Sequence, residues 1–303
     1  MFATRTGAAR LSLVVVLGLI AVKVVVAVIT DSISILAQAV DSFLDLFAVI
    51  ITFLAVVIAT RPADTGHPFG HGKVENVAAV VQAVLIFSAG GLIIFSAVNR
   101  IITGAKVEMA EAGIGVMLVS IIASIFLSRY LRKVALATDS IALEANAHNI
   151  AADVYSAGAV LVGLVAVRFT GFDMLDPILA LAVSLLIFKA GYDVLRRSFG
   201  GLIDVKLPDG EEKVITESIL RCSSTVIDFH KLRTRKVGNQ RHVDLHLVVP
   251  KDASVEEAHQ ICDQLEHDIA SRLSHSNVTI HVEPCSEECD QCLVICHLRE
   301  ERD

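Results

Sequence analysis

The sequence predicts an α-helical membrane protein with six transmembrane helices, followed by a small C-terminal α+β domain on the cytoplasmic side. Three observations carry this. Of the 303 residues, 54% are hydrophobic and 19% charged, an apolar excess that lipid must cover because two soluble domains of this length would not bury it. Six long, nearly uncharged runs hold that excess. The charge also divides sharply: residues 1–207 carry 15 Lys+Arg against 14 Asp+Glu, whereas residues 208–303 carry 11 against 19, so the net charge of −7 belongs almost wholly to the polar part. A nucleic-acid binder would show a clustered basic surface, and a disordered chain would be poor in apolar residues. Both classes are excluded.

A helix crossing the hydrocarbon needs about 20 mostly apolar residues. The runs that qualify are 11–30, 33–59, 77–102, 114–131, 141–167 and 177–195. The first, preceded by Arg5 and Arg10, has the outline of a signal peptide, but Lys23 interrupts it and five further runs follow, so a retained helix is expected. Short-loop cations set the orientation. Arg5, Arg10, Arg61, Lys73, Arg129, Arg132, Lys133, Arg196 and Arg197 fall on one side of a six-span arrangement, and Arg100, Lys106 and Arg168 on the other, which puts both termini in the cytoplasm. Tyr130 and Tyr192 stand at span ends as interfacial anchors.

From Pro208 the period changes. Helices are expected over 211–221 and 254–273, the second opened by Ser254 as N-cap with Glu257 at the capping-box position. Strands are expected over 226–237, 241–250 and 277–283. In the second strand Val243, Leu245, Leu247 and Val249 alternate with His242, Asp244 and His246, one face core and the other polar. The order is αββαβ, ferredoxin-like. The domains are thus 1–207 in the membrane, 208–285 in the cytoplasm, and a Cys-rich tail over 286–303.

The chemistry is expected at the intramembrane acids, because a carboxylate at bilayer depth is costly unless it pairs, binds an ion or lines water. Asp41 and Asp45 stand four apart, about 40° round a helix, and offer two oxygen ligands on one face. Asn149 and Asp153 repeat the spacing in the fifth run. Two such pairs can close four ligands on one cation. His148, five residues before Asp153, is turned about 140° away and is expected to be a bystander.

A second cluster follows the second run: Asp64, His67 and His71, with Pro68, Gly70 and Gly72 between or beside them. One carboxylate and two imidazoles suit a borderline divalent cation; a polar turn is the alternative. The polar domain carries His230, His242, His246, His259, His267 and His281, of which His267, along with His275, is expected to be a surface residue. Beyond Cys285 the tail adds Cys289, Cys292, Cys296 and His297. These thiols fit either a tetrahedral Zn²⁺ site or a redox-exposed tail, since a cytoplasmic setting argues against structural disulfides.

These residues resemble a family, the cation diffusion facilitators, and within it the bacterial ferrous-iron/zinc efflux pumps. Ser34-Ile-Leu-Ala-Gln-Ala-Val-Asp41-Ser-Phe-Leu-Asp45 looks like their second-span motif, and His67-Pro-Phe-Gly-His71-Gly-Lys73-Val-Glu75 like their loop signature. Asp228-Phe-His230-Lys-Leu-Arg233-Thr-Arg235 and Val278-Thr-Ile-His281-Val-Glu283-Pro-Cys285 resemble their cytoplasmic domain. The resemblance implies a homodimeric exporter in a bacterial inner membrane, not an enzyme, that exchanges a divalent cation for protons by alternating access. It implies a transport site of Asp41, Asp45, Asn149 and Asp153, a loop site of Asp64, His67 and His71, and cytoplasmic sites drawing on His230, His246, His259, His281 and Glu283. It also implies that Lys73 and Asp204 link the two parts. No resident cofactor is expected, only transported or regulatory Mn²⁺, Fe²⁺ or Zn²⁺.

One departure bears on the cargo. Zinc-type members carry His where this chain has Asn149, and an all-oxygen tetrad suits Mn²⁺ or Fe²⁺ better than Zn²⁺. Manganese or iron is therefore favoured, with zinc, cadmium or cobalt efflux by the same mechanism as the alternative. Two rivals of another class are a metal-gated channel and a membrane lipid transferase; the latter's motif opens with Asp-Gly, where this chain has Val40-Asp41.

Overall fold

A computed structural model describes residues 4–30, 33–103, 111–170, 174–221 and 226–285. The chain divides into two compact units, Met1–Leu202 and Ile203–Asp303.

The first unit holds six helices: α1 (Arg5–Thr30), α2 (Ile33–Ala59), α3 (Lys73–Thr103), α4 (Glu111–Thr138), α5 (Ile141–Thr170) and α6 (Leu175–Leu202). Each contains one of the expected apolar runs, and several extend past it into charged sequence, because a helix keeps its backbone bonds beyond the hydrocarbon. Among the described residues three segments are long and apolar enough to cross a membrane, Arg5–Ile29, Lys73–Thr103 and Pro177–Leu202, and a shorter apolar stretch runs over Asp45–Ala59. Exposed Val28, Ile29, Phe95, Ile102 and Leu185 give the unit an apolar outside, as lipid requires.

Inside, α1, α2, α4 and α5 share a core of Val16, Val56, Leu131 and Leu143. Small residues Ala79, Ala83 and Ala145 let α3, α5 and α6 approach closely. The α3–α6 pairing depends on glycine: a Cβ on Gly90 would stand 2.8 Å from the Phe188 ring, and one on Gly201 would collide with the Asn76 amide, which donates to Ser198 O at 3.1 Å. Gln82, fully buried on α3, donates to Ala48 O (2.7 Å) and Thr52 Oγ1 (2.9 Å) of α2.

One polar knot ties three helix starts. Glu75, in the first turn of α3, is buried, and its carboxylate accepts from Arg5 Nη1 at 2.9 Å, from Ser140 Oγ at 2.5 Å and from Ala142 N at 3.4 Å. Ser140 also caps α5 by accepting from Leu143 N, and Asp139 before it turns the chain at φ 55°.

The second unit runs α7 (Asp209–Arg221), β1 (Asp228–Val237), β2 (Gln240–Val249), α8 (Val255–Arg272) and β3 (Ser276–Pro284). The sheet order is β1-β2-β3, with β1–β2 antiparallel and β2–β3 parallel. A two-residue loop closes the hairpin, with Gly238 at φ 62°. Val243, Leu245, Leu247 and Val249 are buried against Ile215 and Ile219 of α7 and Leu265 and Ile269 of α8. Ser254 and Glu257 form the expected capping box. Arg241 grips Glu211 with two bonds of 2.7 and 2.8 Å, and Arg272 reaches Glu217 at 2.7 Å, so α7 is fastened to both β2 and α8.

Candidate metal sites

Within the first unit a cavity of about 670 Å³ lies among the helices. Asp45 of α2 and Asn149 and Asp153 of α5 line it, so the two helices expected to supply ligands do open onto one space. Asn149 is buried and the two acids half-buried. The side chain of Asp41 lies outside the described residues; its backbone falls in α2, one turn before Asp45. His148 does not line the cavity, although its neighbours Asn149 and Ile150 do. Two polar lining residues, Lys23 and Ser42, also meet there. Lys23 of α1 interrupts an apolar run, and its Nζ donates to Ser42 Oγ at 2.6 Å. A lysine in such a run is itself the signal that could have marked it.

Asp64, His67 and His71 converge in the segment between α2 and α3. Asp64 organises the turn: its Oδ1 accepts from Gly66 N (2.9 Å) and His67 N (2.7 Å), while Gly70 at φ 78° turns the chain so that His71 comes back. His67 Nδ1 stands 3.1 Å from Asp64 Oδ1, and His71 Nε2 stands 3.4 Å from Oδ2. The imidazole centroids are 4.4 Å apart. The His67 backbone N–H, with further bonds from the His67 ring and Gly66, holds the Asp64 carboxyl below the usual carboxylate range. It is therefore ionised and available to a cation.

The second unit assembles its cluster by strand register. His230 of β1 is opposite His246 of β2, which is opposite His281 of β3. A bulge between His230 and Arg233, with Lys231 at φ 51°, lets β1 present His230 on that row. Glu283, two residues beyond His281 and so on the same face, stands 2.7 Å from His246 Nδ1, 3.1 Å from His230 Nε2 and 3.7 Å from His281 Nε2. His230, His246 and Glu283 offer ligand atoms all within 4.8 Å of one another. The His246 hydrogen bond, together with the nearby His230 and Lys231, lowers the Glu283 pKa. His281 flanks this trio.

His259 is not brought to it. It sits exposed on α8 beside Asp263, 3.7 Å away. His242 shares the polar side of β2 in sequence but is buried, and burial together with Arg235 pushes its pKa down, which leaves it neutral. Lys73 donates to Leu202 O at 3.4 Å within the first unit, and Asp204 faces Arg235 at 3.5 Å within the second. Cys285 is buried beside Ile227; Cys289, Cys292, Cys296 and His297 lie outside the described residues.

Residues 9–203 match the cation efflux transmembrane domain, and residues 207–285 match the cytoplasmic domain of cation efflux proteins. A transporter of Synechocystis described as uncharacterized is 32% identical over 259 residues, covering 86% of this chain and 84% of the relative. The cation-efflux pump FieF of Pectobacterium atrosepticum is 33% identical over 261 residues, with 85% of each chain covered. A solved structure, the metal-bound C-terminal domain of the CzcD transporter from Thermotoga maritima, is 26% identical, covers 26% of this chain and 94% of its own, and has a TM-score of 0.23. With residues 9–203 and 207–285 matched in order, this chain belongs to the cation diffusion facilitator family and is an integral-membrane cation efflux transporter, not an enzyme.

Proposed function

We propose that the protein exports a divalent transition metal from the cytoplasm in exchange for protons, with Asp41, Asp45, Asn149 and Asp153 as the transport ligands. The observation that carries this reading is the cavity onto which Asp45, Asn149 and Asp153 open from two helices. All three are oxygen donors, which favours Mn²⁺ or Fe²⁺ over Zn²⁺. Proton exchange then falls to the carboxylates, because this tetrad contains no imidazole. Metal and protons compete for the same oxygens, so loading with one expels the other.

In this reading all six helices span the bilayer, both termini are cytoplasmic, the second unit has the ferredoxin-like arrangement, and two copies form the working homodimer. Asp64, His67 and His71 form a second metal site. His230, His246 and Glu283, with His281 beside them, bind metal in the cytoplasmic domain, and Lys73 and Asp204 connect the domains. Zinc, cadmium or cobalt is the second reading of the cargo. It is favoured by the two imidazole-containing clusters, whose donors suit Zn²⁺.

Reconstitution into liposomes tests the mechanism. With an imposed pH gradient and a panel of Mn²⁺, Fe²⁺, Co²⁺, Zn²⁺ and Cd²⁺, antiport requires uptake that collapses when the gradient is dissipated, with Mn²⁺ or Fe²⁺ fastest. Flux of equal size without any gradient would instead mark a channel.

A further inference from the structure

Lys23 is the least expected residue of the transport cavity. It lies within α1, in a segment apolar enough to cross a membrane, where a charged side chain is retained only for a reason. Val22 and Val25 on either side are exposed on the apolar exterior, whereas Lys23 lines the cavity. Its ammonium is 2.6 Å from Ser42 Oγ, and Ser42 is buried three residues before Asp45, so the two share one face of α2.

The charge balance sharpens the question. The charged residues lining the cavity, among those described, are Lys23 and Arg100 against Asp45 and Asp153. Fully ionised, these four sum to zero, so that with Asp41 of the proposed ligand set counted the site carries only one net negative charge, a poor starting point for attracting a divalent cation. A lysine answers this in a way that a fixed dipole would not, because its ammonium rides on a flexible four-carbon stem and can withdraw. Arg100 stands in the last turn of α3, at a helix end, whereas Lys23 lies inside its apolar run.

We propose that Lys23 is a tethered counter-cation of the transport cavity. Its ammonium offsets the carboxylates when the cavity holds no metal, withdraws as a divalent cation enters, and by repulsion from the loaded site weakens metal binding and speeds metal release. It is thus a determinant of affinity and turnover rather than a ligand. The inference rests on the reading of Asp45, Asn149 and Asp153 as transport ligands.

The test is calorimetry and liposome flux with Mn²⁺ and with Zn²⁺ on the full chain, in a background where His67, His71, His230, His246, His259, His281 and His297 are alanine and Cys285, Cys289, Cys292 and Cys296 are serine, so that the cavity is read without the other candidate metal donors. Lys23→Gln should lower the dissociation constant roughly tenfold or more, as deletion of a unit charge near a divalent ion requires even in a well-solvated cavity. KM should fall with it, and the rate at saturating metal should fall as release slows. Lys23→Arg, which keeps the charge, should stay near the wild-type affinity. Lys23→Met, which fits an apolar helix, supplies the same reading should Lys23→Gln fail to insert. Unchanged or weaker binding in the inserted neutral variants overturns the proposal, as does equal tightening by Lys23→Arg. A separate arm examines the underlying site: if Asp153→Ala still binds metal in this background, the ligand assignment fails, whatever Lys23 does.

Discussion

In the proposed reading, the membrane cavity and the cytoplasmic sheet handle cations in opposite ways. The cavity gathers side chains from all six helices, its assigned ligands are oxygens, and cations stand among its acids. The sheet cluster is built by strand register, is dominated by imidazoles, and lies partly open to water. The difference is one of dielectric. Where water is scarce, one charge more or fewer decides whether an ion stays; on an open sheet, water screens each charge and competition with protons governs binding. A transported ion must leave, and a regulatory one must only report.

The largest effect that could break this contrast is loss of a cavity acid. Asp45→Ala or Asp153→Ala should abolish metal flux in liposomes while the protein still inserts, because the remaining ligands become uncompensated charge. Wild-type flux in either variant would remove the cavity from the mechanism.

Burial should separate the two regions next. Glu75→Ala leaves Arg5 without its carboxylate in the polar knot and should cost about 3–5 kcal/mol, the range for breaking a buried ion pair. Glu217→Ala removes an Arg272 partner that is 44% exposed and should cost far less, because water screens an exposed pair. Thermal inactivation of the two variants side by side would show the ordering; equal losses would mean that the helix starts are solvated.

A smaller effect should sharpen the ligand contrast. Asn149→His brings the sheet's donor type into the cavity and should raise zinc flux relative to manganese severalfold, since imidazole nitrogen strengthens zinc binding more than manganese binding. An unchanged ratio in competition assays would show that position 149 does not select the metal.

The smallest concerns acid. The Glu283 pKa is lowered by His246 and the charges around it, so its folded-state value lies below its unfolded one. Its contribution to stability is therefore present above the ordinary glutamate range, near ~4.3, and is lost as pH falls through the lowered folded value. Glu283→Gln should flatten the acid side of the stability profile and leave Asp64, whose pKa is lowered independently by His67, to titrate as before. An acid limb unchanged in Glu283→Gln would show that the row does not hold this carboxylate.

How much of this could be read in advance depended on the range of the interaction. The capping box at Ser254 and the buried alternation of Val243, Leu245, Leu247 and Val249 follow from neighbours within a few residues, and both stand where expected. The loop cluster is similar, because Asp64, His67 and His71 need only one turn to meet. The apolar runs marked the helices but not their ends: α1 begins at Arg5 and α3 at Lys73, in charged sequence.

Sequence alone, then, determined that this chain is helical in a membrane over its first two thirds and αββαβ after Pro208, because hydropathy and period are local properties of one segment. It also marked the acids, since a carboxylate in an apolar run is conspicuous wherever it lies. Tertiary structure decided which of these groups share a space. Arg5 meets Glu75 across 70 positions, Lys23 meets Ser42 across two helices, and His230 comes opposite His246 because β1 bulges, as His281 does because β3 pairs parallel to β2. Those meetings depend on how helices cross and strands register, and no periodicity within a single element encodes the rotation of its neighbour.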